Sequence, residues 1–180
     1  MHSSHHSSAQ LAVTCGIVLC VVGQVGHAAV LAAGAGGFTV REQVEFAGTP
    51  ALAWKHLLDV GSWWAAEHTY SGRTANLSIT LGSGLQGCWC EKLDNGGFVR
   101  HMEVVLVIPE RTLRLLGGLG PLQPMGASGA LTFTLHSESP GTTTVVAEYS
   151  VAGYSREGLA QLAGPVDGVL AEALARFAKR

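Results

Sequence analysis

Apolar and polar positions first alternate close to a two-residue period where Phe38, Val40, Gln43 or Val44, and Phe46 recur in FTVREQVEF, which predicts an opening strand. The period then changes to that of a helix. Thr49 supplies a cap and Pro50 the first helical position, and Leu52, Trp54 or Lys55, and Leu58 follow at helical spacing until Gly61 stops the run. Ser62-Trp63-Trp64 comes next as a turn carrying two large rings. From Ala75 onward short strand-like runs, NLSITL, LQGCWCEKL, FVRHMEVVLVI, RTLRLLGG, GALTFTLHSE and TTTVVAEYSVAGY, are separated by turn signals. Asp94-Asn95-Gly96-Gly97 is the clearest hairpin among them, and successive antiparallel hairpins are the economical topology.

The last segment, Arg156 to Arg180, changes period again. Leu159, Leu162, Val166, Val169, Leu170, Leu174 and Phe177 recur at three and four, which makes one apolar face on a helix of about six turns, with Pro165 near an early kink. So amphipathic a helix has to lie on something, and the sheet is the one large partner. The prediction is an α+β domain in which a curved antiparallel sheet wraps a long C-terminal helix, with a short helix after the first strand.

Ahead of the domain, Leu11 to Gly23 reads LAVTCGIVLCVVG, an uncharged apolar run with the length of a secretory h-region. Gly26-His27-Ala28 then offers small residues where a signal peptidase reads them, and Ala33-Gly34-Ala35 is a second choice. Residues 1–10 hold no Lys or Arg, unlike the usual n-region, which keeps open an uncleaved membrane anchor over Leu11 to Ala33 or a buried helix of the domain. The expected organisation is a signal peptide over 1–28, a flexible joint over 29–37 and a single domain over 38–180, located in the periplasm or secreted.

Composition narrows the picture further. Hydrophobic residues make up 47% and charged residues 13%, so the chain can bury a large core. The formal net charge is -2, and the 11 Lys and Arg are scattered singly, which disfavours nucleic acid because phosphate binding needs a concentrated basic footprint. Cys15 and Cys20 lie in the h-region and would leave with it. Cys88 and Cys90 stay, two apart on one strand face with alpha carbons roughly 6.5 Å apart, a spacing that strains an intrastrand disulfide; two small half-buried thiols are favoured over a redox or metal role, which needs a third ligand nearby.

Candidate chemistry gathers at few places. Trp63, Trp64, His68 and Tyr70 offer apolar faces with polar tips, suited to a ligand that is mostly hydrocarbon; the alternative for either Trp is a plug in the core. Alternation puts Trp89, Glu91 and Leu93 together, opposite the two Cys. A buried Glu91 needs a partner, because an unpaired carboxylate inside costs several kcal/mol or shifts its pKa upward. His101, across the hairpin, is the nearest and His68 the next. Glu91, His101 and His68 could act as general acid and base or hold Zn, yet their spacing carries no metal signature, and no metal or cofactor is assigned. The Gly- and Pro-rich run Gly117 to Gly126 is expected to be a mobile loop over one end of a cavity. If Leu119, Leu122 and Met125 point inward, it is a lid.

The order of elements, with PALAWKHLLDVGSWW (Pro50 to Trp64), HTYSG (His68 to Gly72), GCWCEKL (Gly87 to Leu93), GGLGPLQ (Gly117 to Gln123) and the GTTT run that opens a late strand, resembles the SRPBCC superfamily of START-like, helix-grip proteins. That group includes polyketide cyclases and homologues of the heat-shock ATPase activator, and the chain is most similar to its exported bacterial members. The resemblance covers about Gly37 to Arg180 and implies an apolar cavity between sheet and C-terminal helix. Plausible lining residues are Trp63, Trp64, His68, Tyr70, Trp89, Met102 and Leu122. The expected partner is a small hydrophobic molecule, with no nucleic acid and no membrane once the leader is gone, on a monomer or weak dimer. The alternative is a cyclase- or hydrolase-like enzyme using Glu91 and His101 in the same cavity.

Overall fold

The computed structural model describes residues 29–82 and 86–179, so the expected signal peptide over 1–28 and the membrane-anchor alternative lie outside the described residues. Eight strands, β1 (Ala29–Gly34), β2 (Gly37–Ala47), β3 (Leu77–Thr80), β4 (Cys88–Lys92), β5 (Phe98–Ile108), β6 (Thr112–Gly117), β7 (Ser128–Ser139) and β8 (Thr142–Ala152), form one antiparallel sheet. Their order is β1-β2-β8-β7-β6-β5-β4-β3, so every neighbour except the β2–β8 pair is also a neighbour in sequence. Helix α1 (Pro50–Leu58) follows β2, and α2 (Ala163–Ala178) ends the fold against β1 and β2. The fold is α+β, an open antiparallel sheet with a C-terminal helix, as the periodicities predict.

Five local expectations are corrected. Residues 29–37, expected as a flexible joint, form a hairpin in which Ala29 pairs with Arg41 and Gly34 with Gly37. This small-residue stretch has no alternation to reveal a strand, and the strand is an edge whose side chains are mostly exposed. Its order comes from main-chain bonds: Leu159 N–H donates to Ala35 O at 3.0 Å and Gly153 N–H to Gly36 O at 3.1 Å. The C-terminal helix is shorter than six turns, because a 3-10 turn over Ala160–Leu162 leads into the 16 residues of α2. Pro165 lies in the first turn of α2, where a missing N–H costs nothing, so it begins the helix instead of kinking it.

In α1 the buried stripe is Ala53, Trp54 and Leu57, while Leu52 is 43% exposed. Leu52 sits about 200° around the helix from Trp54 at 3.6 residues per turn, so burying the largest ring turns it outward. Cys88 and Cys90 are joined in a disulfide with Cα atoms 5.5 Å apart. That separation is shorter than the roughly 6.5 Å of a regular strand and lies within the range that a disulfide spans.

The core is built from rings. Trp63 packs edge-on against Trp89 and Phe177, each at 5.9 Å between centroids, and against Phe133 at 6.2 Å, which joins the post-α1 turn, the sheet and α2 in one cluster. Phe177 also meets Phe46 of β2 at 5.3 Å. Trp63, Trp89, Phe46, Phe133 and Phe177 are all fully buried, so the centre of the sheet–helix interface is filled by side chains. Such ring pairs add roughly 0.5–1.5 kcal/mol each beyond the area they bury. Phe177→Ala is therefore expected to cost about 3–5 kcal/mol in chemical denaturation. A loss below about 1 kcal/mol would show that α2 is not pinned through this ring.

Candidate functional site

The interior carries one fully buried carboxylate–imidazole pair, and local backbone geometry explains how it arises. Between Trp89↔Met102 and Cys90↔Arg100 the β4–β5 register slips by one, leaving His101 as the extra residue on β5. The bulge turns His101 and Met102, adjacent in sequence, both to the buried side. Glu91 of β4 faces the same way, and His101 Nε2 lies 2.9 Å from Glu91 Oε2. The backbone N–H groups of Tyr70 and Ser71 complete the carboxylate's shell, donating to Oε2 at 3.1 Å and to Oε1 at 2.5 Å.

Burial by itself would raise the Glu91 pKa, but the hydrogen bonds from Ser71, Tyr70 and His101 outweigh it and hold the carboxyl below its ordinary range. For His101, burial lowers the pKa despite the neighbouring negative charge. The pair is an ionised carboxylate accepting from a neutral imidazole. Its effect is mechanical, because Glu91 fastens the Tyr70–Ser71 segment to the sheet.

That segment is one wall of a pocket of about 340 Å³ at the end of the sheet–helix interface. Trp64, His68 and Tyr70 form the first wall, Leu119, Pro121 and Leu122 the second, and Val166, Val169 and Leu170 of α2 the third. Glu67 and Thr69 lie at its rim. The first wall is braced internally, since Trp64 Nε1 donates to His68 O at 3.1 Å.

The second wall hangs on Tyr149 of β8, whose hydroxyl donates to Gly117 O at 3.0 Å and accepts from Leu119 N–H at 3.3 Å. Burial pushes the Tyr149 phenol up to about 12, so it keeps its proton at any physiological pH. Gly117 is needed where the wall leaves β6: its φ is 155°, and a Cβ there would stand 2.4 Å from His101 O. The two walls meet where Tyr70 Oη donates to Gly120 O at 3.2 Å.

Of the residues singled out from sequence, Trp64, His68, Tyr70 and Leu122 line this pocket. Trp63 and Trp89 lie in the packed ring cluster, and Met102 is buried beside His101, where both border a separate shallow recess on β5 and β6. Glu91 and His101 come together as their positions across the hairpin suggest. His68 does not join them. Its imidazole instead stands 3.9 Å from Glu172 of α2, which Arg176 holds at 2.6 Å. Among the described residues no three His, Cys, Asp or Glu side chains gather as a metal site.

In the Gly-rich loop Leu119 and Leu122 point inward while Met125 stays exposed. Sequence reasoning passed over Tyr149 and the helix residues Val166 and Val169 as site residues. Tyr149 had a signal, an aromatic ring at an inward position of a strand whose other inward residues are Thr143, Val145, Ala147 and Val151.

No protein-family model and no curated protein sequence matches the chain. Solved structures share its fold. A conserved protein of unknown function from Enterococcus faecalis superposes with a TM-score of 0.55 at 14% identity, over 86% of this chain and 75% of its own. A Mesorhizobium loti protein gives 0.54 at 18% identity over 78% and 94%, and CalU16 from Micromonospora echinospora gives 0.55 at 12% over 86% and 83%. At these identities the likeness is one of fold: an antiparallel sheet with a C-terminal helix.

Replacing Glu91 tests the anchoring role. In Glu91→Gln an amide NH2 must face a backbone N–H, and the expected loss at neutral pH is about 1–3 kcal/mol with faster amide exchange at Tyr70 and Ser71. Because the folded-state pKa of Glu91 is lowered, its contribution is present above about pH 4.5 and is lost as pH falls through the folded value. The gap between wild type and variant in denaturation should close in acid. A gap that is absent at neutral pH, or unchanged in acid, contradicts the anchor.

Proposed function

We propose that the protein binds and carries a small, mostly apolar molecule in the pocket between the 64–70 segment, the 119–122 turn and α2, outside the cytoplasm, as a member of the START-like SRPBCC group. The observation that carries this reading is the pocket itself. At about 340 Å³ it falls within the range of small-molecule sites, its walls are mainly Trp, Leu, Pro and Val, and a few polar tips converge at one side. Tyr70 Oη and the His68 imidazole suit a ligand with an apolar body and one oxygen-bearing end.

Membership of the superfamily is supported by the element order and by the motifs from Pro50 to Trp64 and Gly117 to Gln123, which supply two of the three walls. Location outside the cytoplasm is supported by the apolar leader and by the Cys88–Cys90 disulfide, a bond that persists in oxidising compartments.

The acid–base reading has one observation in its favour, the 2.9 Å contact between Glu91 and His101. Against it, Glu91 is saturated by backbone donors and does not border the pocket, so it has no open path to a ligand bound there. Carriage is therefore the better account.

Native mass spectrometry of the purified protein is expected to show a co-purifying small molecule. Val169→Trp, which fills the pocket from α2, is expected to abolish that adduct and to weaken binding of an apolar fluorescent probe at least tenfold, with little change in the thermal midpoint. Equal probe binding by wild type and Val169→Trp would contradict the assignment.

A further inference from the structure

A second buried carboxylate lies on the same buried face of the sheet as Glu91, on β2 instead of β4, and its chemistry is the reverse. Glu42 of β2 is 3% exposed and points into the face covered by α2, where it meets Asp167 in the helix's second turn. Burial first, then the hydrogen bond and charge of Asp167, push the Glu42 carboxyl up to about 7. One oxygen of each residue, Glu42 Oε1 and Asp167 Oδ1, is buried without a hydrogen-bond partner.

No cation reaches the pair among the described residues. On β2 the adjacent Arg41 points to the other face, toward Glu148 at 3.8 Å, and the residue opposite Glu42 on β8 is Ala147. What does reach Glu42 is the backbone N–H of Ala29, which alone among its neighbours favours the ionised form. Two buried acceptors left unmet are unfavourable, because each has given up water without gaining a donor.

Ala29 directly follows Gly26-His27-Ala28, the leader's first-choice processing sequence. We propose that Glu42 and Asp167 form a receptor for the α-ammonium of Ala29, created when an export peptidase hydrolyses the Ala28–Ala29 bond. Water supplies the hydroxyl that completes the Ala28 carboxyl group, and its remaining hydrogen goes to the Ala29 nitrogen. That amine then takes up one further proton from solvent.

The nitrogen changes from an amide with one donor to an ammonium with three donors and a positive charge. Three donors match the acceptor count: the Glu42 oxygen already bonded and the two orphans. Charge pairing with two carboxylates in a buried setting is strong, because little solvent screens it. Cleavage at the second choice, after Ala35, would remove β1 and leave the carboxylates bare. The receptor therefore discriminates between the two processing sites. In the uncleaved chain the raised Glu42 pKa makes stability fall as pH rises from about 4.5 to about 7, and the ammonium removes that loss.

The inference rests on the export reading above, and its test keeps the two apart. The full chain is expressed in an exporting bacterial host, the first residue of the recovered protein is read by intact mass, and the pH dependence of α-amine acetylation gives the amine's pKa. The expected product begins at Ala29 and holds its amine proton at least tenfold more tightly than the ordinary α-amino pKa of about 7.7–8.0 allows. Glu42→Gln and, separately, Asp167→Asn should return the amine toward that range, so the result does not depend on one variant folding. A product that keeps residues 1–28 or begins elsewhere overturns the export reading and the inference together. A product that begins at Ala29 with an ordinary amine overturns the inference alone.

Discussion

Trp63 stands where the turn after α1, the middle of the sheet and the end of α2 converge, and the rest of the molecule is arranged around the rings that meet it. Trp89 and Phe133 approach from the strands, Phe177 from the helix and Trp64 from its own turn. Filling the centre in this way fixes the helix on the sheet and decides where space is left. The rings crowd the centre of the interface. Towards one end, the first turns of α2 face Leu119 and Leu122 across the pocket. Trp64 belongs to both regions, with one neighbour in Trp89 at 4.8 Å and its indole N–H bracing the pocket wall.

Two buried glutamates show how one residue type serves opposite ends on one scaffold. Glu91 is met by two backbone N–H groups and an imidazole, so it stays ionised and works as a fastener for the 70–71 segment. Glu42 is met by another carboxylate and a single N–H, so it is driven toward its protonated form and keeps an unmet oxygen. The difference lies in the number of donors that the surrounding backbone aims at each group. Depth alone does not separate them, since both are almost wholly buried.

Much of this architecture was legible in the sequence because a face buried against a large partner leaves a period. The seven strands from β2 to β8 fall where the alternating runs place them, and the face of α2 from Val166 to Phe177 falls where the three-and-four spacing places it. β1 was not legible, since an edge strand of Ala and Gly buries no face and is held by its backbone.

The meeting of Glu91 and His101 followed from hairpin position, but the bulge that brings it about has no pattern in the residues themselves. Trp63 and Trp89 resist assignment for another reason. A large ring that lines a cavity and one that fills it are written with the same letter, and only the packing of Phe133 and Phe177 around them settles which occurs.

The central claim is that side chains fill the middle of the sheet–helix interface and leave an apolar space at its end. Xenon tests it directly, because the gas enters dry apolar cavities without needing hydrogen bonds. In crystals held under xenon pressure, anomalous density is expected between Trp64, Leu122 and Val169, with none between Trp63, Trp89 and Phe133. Density within the ring cluster, or an end pocket that stays empty at saturating pressure, would contradict the account.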